Sequence, residues 1–141
     1  MTITDKPRCT AILLCDGVVV DPATNKVHLI GVFNAIRPRE FPSRREELCV
    51  FVALTGFVGP TRLAVICTDV GSDRDILGSL LHTVELHDSL ETRYLVFRLH
   101  DCLFRVPGEY LIQCFADEFL IGDARLALLS PKGDSHEQSL R

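Results

Sequence analysis

The sequence lacks an uninterrupted apolar run approaching the ~20 residues that a membrane-spanning helix needs. It also lacks the features of a secretory signal: Asp5 precedes the apolar run at 11–15, AILLC, and Asp16 closes it. The expectation is a cytoplasmic protein without membrane contact. There is no basic excess, since 15 Lys and Arg against 19 Asp and Glu give a formal net charge of −4. Binders of nucleic acid usually carry a basic face, so no nucleic-acid partner is expected. No C-x-x-C pair occurs, and G-x-S-x-G and H-E-x-x-H are missing as well. Nor does any glycine-rich stretch form a strand–loop–helix phosphate cradle. These gaps speak against paired-cysteine zinc and redox sites, serine-hydrolase elbows, zincins and phosphate-binding loops.

What is there reads as one ordinary soluble domain. The chain has 141 residues, 47% hydrophobic and 24% charged, and at this size about two thirds of the extended surface can be buried. The six cysteines, Cys9, Cys15, Cys49, Cys67, Cys102 and Cys114, mostly sit inside apolar runs. Without an export signal they read as reduced thiols packed as small hydrophobes.

Strand signals dominate. Residues 10–20, TAILLCDGVVV, and 26–33, KVHLIGVF, flank the turn formers DPATNK and read as a hairpin. Residues 35–47, with two prolines and seven charges, read as a loop. LCVFVALT, 48–55, is apolar on both faces, and Leu63, Val65 and Cys67 recur with the period of two that alternating strand faces impose. Residues 73–90 fit either a helix capped by Asp73 or a strand near 79–86, and Gly78 favours the strand. In TRYLVFRLH, Leu95, Phe97 and Leu99 face in while Arg98 and His100 face out. Pro107-Gly108 makes a turn, after which 109–115 pairs with 119–129 across Asp117-Glu118, and Gly122 marks a bulge. Tyr110 is either a corner tyrosine or a core aromatic. The resulting expectation is an all-β antiparallel sandwich, immunoglobulin-like or C2-like, of about seven or eight strands over residues 1–129. Residues 130–141 are expected to form a flexible tail.

The opening LLCDGVVVDPATNKVHLIGVF and the closing YLVFRLHDCLFRVPGEYLIQCFADEFLIGDARLAL resemble a widespread group of small bacterial proteins of unknown function. Asp16, Lys26, Gly31, Phe104, Pro107, Gly108 and Tyr110 carry the likeness. The resemblance implies a small β-sandwich and brings no catalytic residues.

Four groups of residues carry side chains capable of chemistry. Asp117, Glu118 and Asp123 crowd one stretch, but adjacent residues of an extended chain point to opposite faces, so the cluster reads as a hairpin tip. His100 and Cys102 are two apart and would share a face of a continuous strand, with Cys114 a conceivable third ligand. A solvated His100 beside a packed Cys102 competes with that reading. Asp69, Asp73 and Asp75 with Gly71 form the best metal candidate, of calcium type, although Arg74 stands among them. Finally, Arg37, Arg39, Phe41, Arg44 and Arg45 offer a partner-binding surface, whereas pairing with Glu40, Glu46 and Glu47 would make it an ordinary solvated loop. Strands apolar on both faces, 11–15 and 48–54, call for a second covering, which a homodimer or a long loop supplies. The first functional expectation is a non-enzymatic interaction or assembly module with a protein partner and no cofactor. The alternative is a divalent-metal-dependent binding or hydrolytic domain built on the loop carboxylates.

Overall fold

Inward positions repeat every second residue along the chain, and the strands they define stack into two layers. The computed structural model describes residues 6–71 and 75–131, the side chains of 75–77 excepted. The expected tail therefore falls largely outside the described residues. The described residues form ten strands: β1 (Arg8–Cys15), β2 (Gly17–Val20), β3 (Val27–Ile30), β4 (Ala35–Ile36), β5 (Ser43–Thr55), β6 (Gly59–Asp69), β7 (Asp75–Leu86), β8 (Arg93–Phe104), β9 (Gly108–Ala116) and β10 (Phe119–Leu128). One layer is the sheet β1-β5-β8, and the other is β4-β10-β9-β6-β7. All pairings are antiparallel except the short β4–β10 contact, which is parallel. The sandwich class holds, with more strands than the sequence suggested.

The core lies between the layers. β5 sends Leu48, Val50, Val52 and Leu54 into it, all fully buried, and each such side chain stabilises the fold by about 1.5–3 kcal/mol. They meet Leu63, Val65 and Cys67 of β6 and Ile112 and Cys114 of β9. The second apolar face of β5 is covered by the chain itself. Cys49, Phe51 and Ala53 join Cys15 in a smaller cluster, and Val18, Val27 and Leu29 pack on it. Those three belong to a separate two-stranded ribbon, β2-β3, which lies over the outer face of the three-stranded sheet.

That ribbon corrects the expected hairpin of 10–20 with 26–33. Only its second half forms, Gly17–Val20 against Val27–Ile30, while the first half pairs with β5. The break is at Asp16, whose N–H is shared between the carbonyls of Ile30 and Gly31 at 2.8 and 3.1 Å. Gly31 adopts a left-handed φ of 67°, and a Cβ there would collide with the Asp16 carboxylate. Asp16 and Gly31, both carriers of the family likeness, thus form one joint.

The expected loop 35–47 is also shorter than supposed. β5 already begins at Ser43, because β8 extends to Phe104 and offers partners: Ser43 faces Phe104 and Arg44 faces Leu103. Cross-strand pairing overrides the polar composition here.

Elsewhere the local readings stand. Residues 75–86 are strand, while Asp73, the supposed cap, lies outside the described residues. Tyr110 is both corner and core: it is fully buried, its hydroxyl donates to the Val106 carbonyl at 2.6 Å, and its ring meets Phe104 edge-on at 5.0 Å. The register of β10 against β9 slips between Leu120 and Gly122, which is the expected bulge. A Cβ at Gly122 would stand 2.8 Å from Cys9 Sγ and 3.0 Å from Cys9 Cβ, so β1 and β10 approach closely at the side of the sandwich. Gly122→Ala is expected to destabilise by about 1–3 kcal/mol through overpacking. Cys9→Ala in the same chain should recover part of that loss, as a coupling of about 0.5 kcal/mol or more in a double-mutant cycle by urea unfolding.

Candidate functional site

Asp117 explains the acidic cluster. It occupies a two-residue turn between Ala116 and Phe119, with a left-handed φ of 54° that Asp tolerates. Its carboxylate accepts from the Arg62 N–H and the Thr61 hydroxyl, both at 3.2 Å, and its own N–H donates to the Arg62 carbonyl at 2.7 Å. The side chain therefore ties the hairpin tip to β6. Glu118 is exposed, and Asp123 faces Gln113 across the ladder, not another acid.

The arginine group does not converge. Arg37 turns back to donate to the Ser130 carbonyl at 2.6 Å. Phe41 is half-buried against the core instead of presented to solvent. Arg44 and Arg45 are neighbours within β5, so they take opposite faces. Arg45 reaches Asp16 at 3.9 Å and stacks over Phe33 with 5.3 Å to its centroid. Arg39 is exposed in the segment before β5. Read as one loop, 35–47 does not show this, because β5 begins at Ser43.

The metal candidates are only partly described. Asp69 and Asp75 face each other at the end of the β6–β7 ladder, and Asp69 Oδ1 accepts the Gly71 N–H at 2.9 Å, closing a turn. Asp73 lies outside the described residues. Among the described residues no group of three or more His, Cys, Asp or Glu is placed to hold a metal ion.

His100 and Cys102 take different sides despite their spacing. Asp101 between them adopts a left-handed φ of 57°, which shifts the alternation by one. Cys102 and Phe104 rejoin Phe97 and Leu99 in the core while His100 remains exposed. Cys114 is fully buried, as are Cys67 and Cys102. The Cys15 and Cys49 sulfurs face each other at 3.8 Å beneath the ribbon. Burial, with Cys15 alongside, pushes the Cys49 thiol up to about 11, and burial pushes Cys114 up to about 12. Neither is a nucleophile at neutral pH.

The alternation of single strands does not reveal the edges of the sheets. Each sheet of the sandwich ends in two edges, and most carry a device that discourages further pairing. β1 has a register slip between Cys9 and Ala11, and Phe33 bridges to its Leu14. β10 has the bulge before Gly122 and the short β4 alongside. β8 has the Asp101 shift and carries Arg93, Arg98 and His100.

β7 has its register shift at one end, between Ile76 and Gly78, and carries His82 and Glu85. From Gly78 to Leu86 it runs in regular register against β6, has no proline or lysine, and among the described residues pairs with no strand on its other side. Leu81 is 61% exposed and Leu80 is 40% exposed. β7 lies next to β8 across the layers, and between them runs a groove of about 150 Å³ lined by Leu80, His82, Leu95 and Phe97 among others. The His82 ring stands edge-on to Phe97 at 6.2 Å. On the outer face of β8, Val96 and Tyr94 are exposed, and Tyr94 stacks on Phe51 at 5.6 Å. The one sequence signal was the pair Leu80-Leu81, because adjacent leucines place an apolar side chain on both faces of a strand.

Among comparisons with known proteins, the sequence model of a family described as "Family of unknown function (DUF6941)" matches residues 10–129. No curated protein matches the chain. Among solved structures, an immunoglobulin-like protein from Pseudomonas aeruginosa is similar at 14% identity and a TM-score of 0.43, covering 88% of this chain and 97% of its own. The alkylpurine DNA glycosylase AlkC of Pseudomonas fluorescens, bound to DNA containing an abasic-site analog, is similar at 12% identity and a TM-score of 0.43. That match covers 83% of this chain and 30% of the glycosylase.

Proposed function

The chain belongs to DUF6941, a family of unknown function, over residues 10–129, and we propose that within it this protein is a non-enzymatic interaction and assembly module of the cytoplasm. The observation that carries the reading is the β7 edge, unpaired among the described residues, with exposed Leu80 and Leu81 next to the exposed Tyr94 and Val96 of β8. An edge strand offers a row of free N–H and C=O groups that a further strand satisfies, and apolar side chains beside it add contact area. Natural sandwiches usually blunt such edges; on β7 the register shift is confined to one end, between Ile76 and Gly78, and Gly78–Leu86 runs regularly.

Capture from native lysate tests the reading with three baits: wild type, Leu81→Lys, and a variant with Arg37, Arg39, Arg44 and Arg45 all changed to Glu. Circular dichroism must first show that all three fold. Bound protein, whether another chain or a differently tagged copy of this one, should be lost with Leu81→Lys and retained with the arginine variant. Loss only with the arginine variant would move the contact to the 37–45 segment, and equal capture by all three would reject the edge.

A further inference from the structure

We propose that Cys15 and Cys49 are a site of reversible oxidation, which a small-molecule disulfide converts to one internal disulfide when the β2-β3 ribbon over them lifts. The site stands apart from the β7 edge and rests on different residues. Among the described residues, these are the only two cysteines that oppose each other in a ladder, β1 against β5. Directly opposed residues of an antiparallel pair send their side chains to one face, with Cα atoms about 4.5 or 5.5 Å apart. A disulfide spans Cα separations of about 4.4–6.8 Å, so either spacing suits it without backbone movement. The sulfurs already stand 3.8 Å apart, and rotation of the side chains brings them to the bonding distance of about 2.0 Å.

The other four cysteines are placed differently. Cys67 and Cys102 come from opposite layers, on β6 and β8, and so do Cys9 and Cys114, on β1 and β9. Cys67, Cys102 and Cys114 are fully buried in the core between the layers, where an oxidant reaches them only if the sandwich opens. Cys15 and Cys49 lie instead on the outer face of the three-stranded sheet, in the small cluster covered by Val18, Val27 and Leu29 of the ribbon. The ribbon has no further strand beside it among the described residues. A two-stranded element held by one packed face opens at lower cost than the sheets beneath it. It also springs from the site itself: Asp16, the residue after Cys15, fastens it through an N–H shared between Ile30 and Gly31.

With the ribbon down, burial first and Cys15 second push the pKa of the Cys49 thiol up to about 11, and the pair is inert. Lifting the ribbon relieves that burial and admits solvent. One thiol then gives its proton to water, and its thiolate attacks a sulfur of the small disulfide, whose S–S bond breaks as one small thiolate leaves. The second thiol, deprotonated in turn, attacks the protein sulfur of this mixed disulfide and expels the other small thiolate. The two protein sulfurs are thereby oxidised by two electrons, and the small disulfide is reduced to two thiols that take up both protons. The product staples β1 to β5 beside the root of the ribbon, and a reducing thiol reverses it by the same exchange.

The full chain, reduced and then exposed to glutathione disulfide at mildly alkaline pH, provides the test. Alkylation of the remaining thiols and mass mapping should show two thiols lost, Cys15 joined to Cys49, and both thiols restored by dithiothreitol. No Lys or Arg separates Cys9 from Cys15, so a tryptic map alone does not tell them apart. Cys9→Ala does: it should still form the bond, whereas Cys15→Ala and Cys49→Ala should not. Gly31→Val, which loosens the ribbon, should oxidise about tenfold faster or more, as opening becomes easier. Val18→Ala weakens the same cover more gently and should move the rate in the same direction, which keeps the test open should Gly31→Val misfold. Thiols left free in wild type and loosened variants alike would overturn the proposal, as would a bond between Cys67 and Cys102 in place of this one. Equal oxidation rates in wild type and both loosened variants would overturn it too, because the ribbon would then not control access.

Discussion

Tyr110→Ala is expected to lower the unfolding free energy by about 3–5 kcal/mol, whereas Tyr110→Phe should lose only about 1 kcal/mol. The two variants separate packing from hydrogen bonding. The ring is fully buried against Phe104, so alanine leaves a cavity at the end of the sandwich. Phenylalanine keeps the ring and removes only the donor to the Val106 carbonyl. Set against a total stability of about 5–15 kcal/mol, the alanine variant gives up a large share of it. Urea unfolding measures both, with a midpoint shift at unchanged slope.

A pH dependence follows from the same hydroxyl. Burial first, and then the Asp69 carboxylate, raise its pKa above the ordinary tyrosine value. The folded state therefore holds its proton more tightly than the unfolded chain. That contribution is complete below pH of about 10, the usual tyrosine range, and is lost as pH rises beyond it. Tyr110→Phe should flatten this alkaline slope. Equal losses from the two variants would mean that the ring is not the anchor of the corner.

Gly31→Val is expected to cost about 2–4 kcal/mol and to loosen the ribbon before the rest of the molecule. A β-branched residue is strained at a φ of 67°, and its Cβ would strike the Asp16 carboxylate. The ribbon is two strands with no further neighbour in its sheet, and a lone hairpin is marginal unless its apolar face is packed. Once Val18, Val27 and Leu29 lift, Cys15 and Cys49 lose their cover. Thiol labelling at mildly alkaline pH is the readout. In wild type Cys49 should react slowly, being buried with its pKa at about 11. In the variant Cys15 and Cys49 should react quickly while Cys67, Cys102 and Cys114 stay protected. Slow labelling at all sites in a folded variant would show that the Asp16–Gly31 joint does not hold the ribbon down.

The chain spoke clearly where structure is local. Alternation in β8 placed Leu95, Phe97 and Leu99 inward and Arg98 and His100 outward. The Pro-Gly turn before Tyr110, the bulge at Gly122 and a strand near 79–86 were likewise visible in short stretches. Long-range choices were not. Nothing near residue 43 announces that β8 will run on to Phe104 and draw Arg44 and Arg45 into a ladder. Nothing near Asp16 announces that the residues before it pair with β5 and those after it with β3. The two apolar faces of 48–54 did signal a second covering, but strand order decides what supplies it. The same limit hid the edge: the Leu80-Leu81 pair is visible in sequence, yet its meaning depends on β7 being last in its sheet.

Amide hydrogen exchange along Gly78–Leu86, measured on dilute and on concentrated protein, tests the interaction surface most directly. The amides of β7 that face away from β6 should exchange quickly in dilute solution and become protected as concentration rises or as lysate is added. Those of β6 and β9, paired on both sides, should not change. Fast exchange at every concentration, unaltered by adding lysate, would mean that nothing pairs with this edge, and the account would fail at its centre.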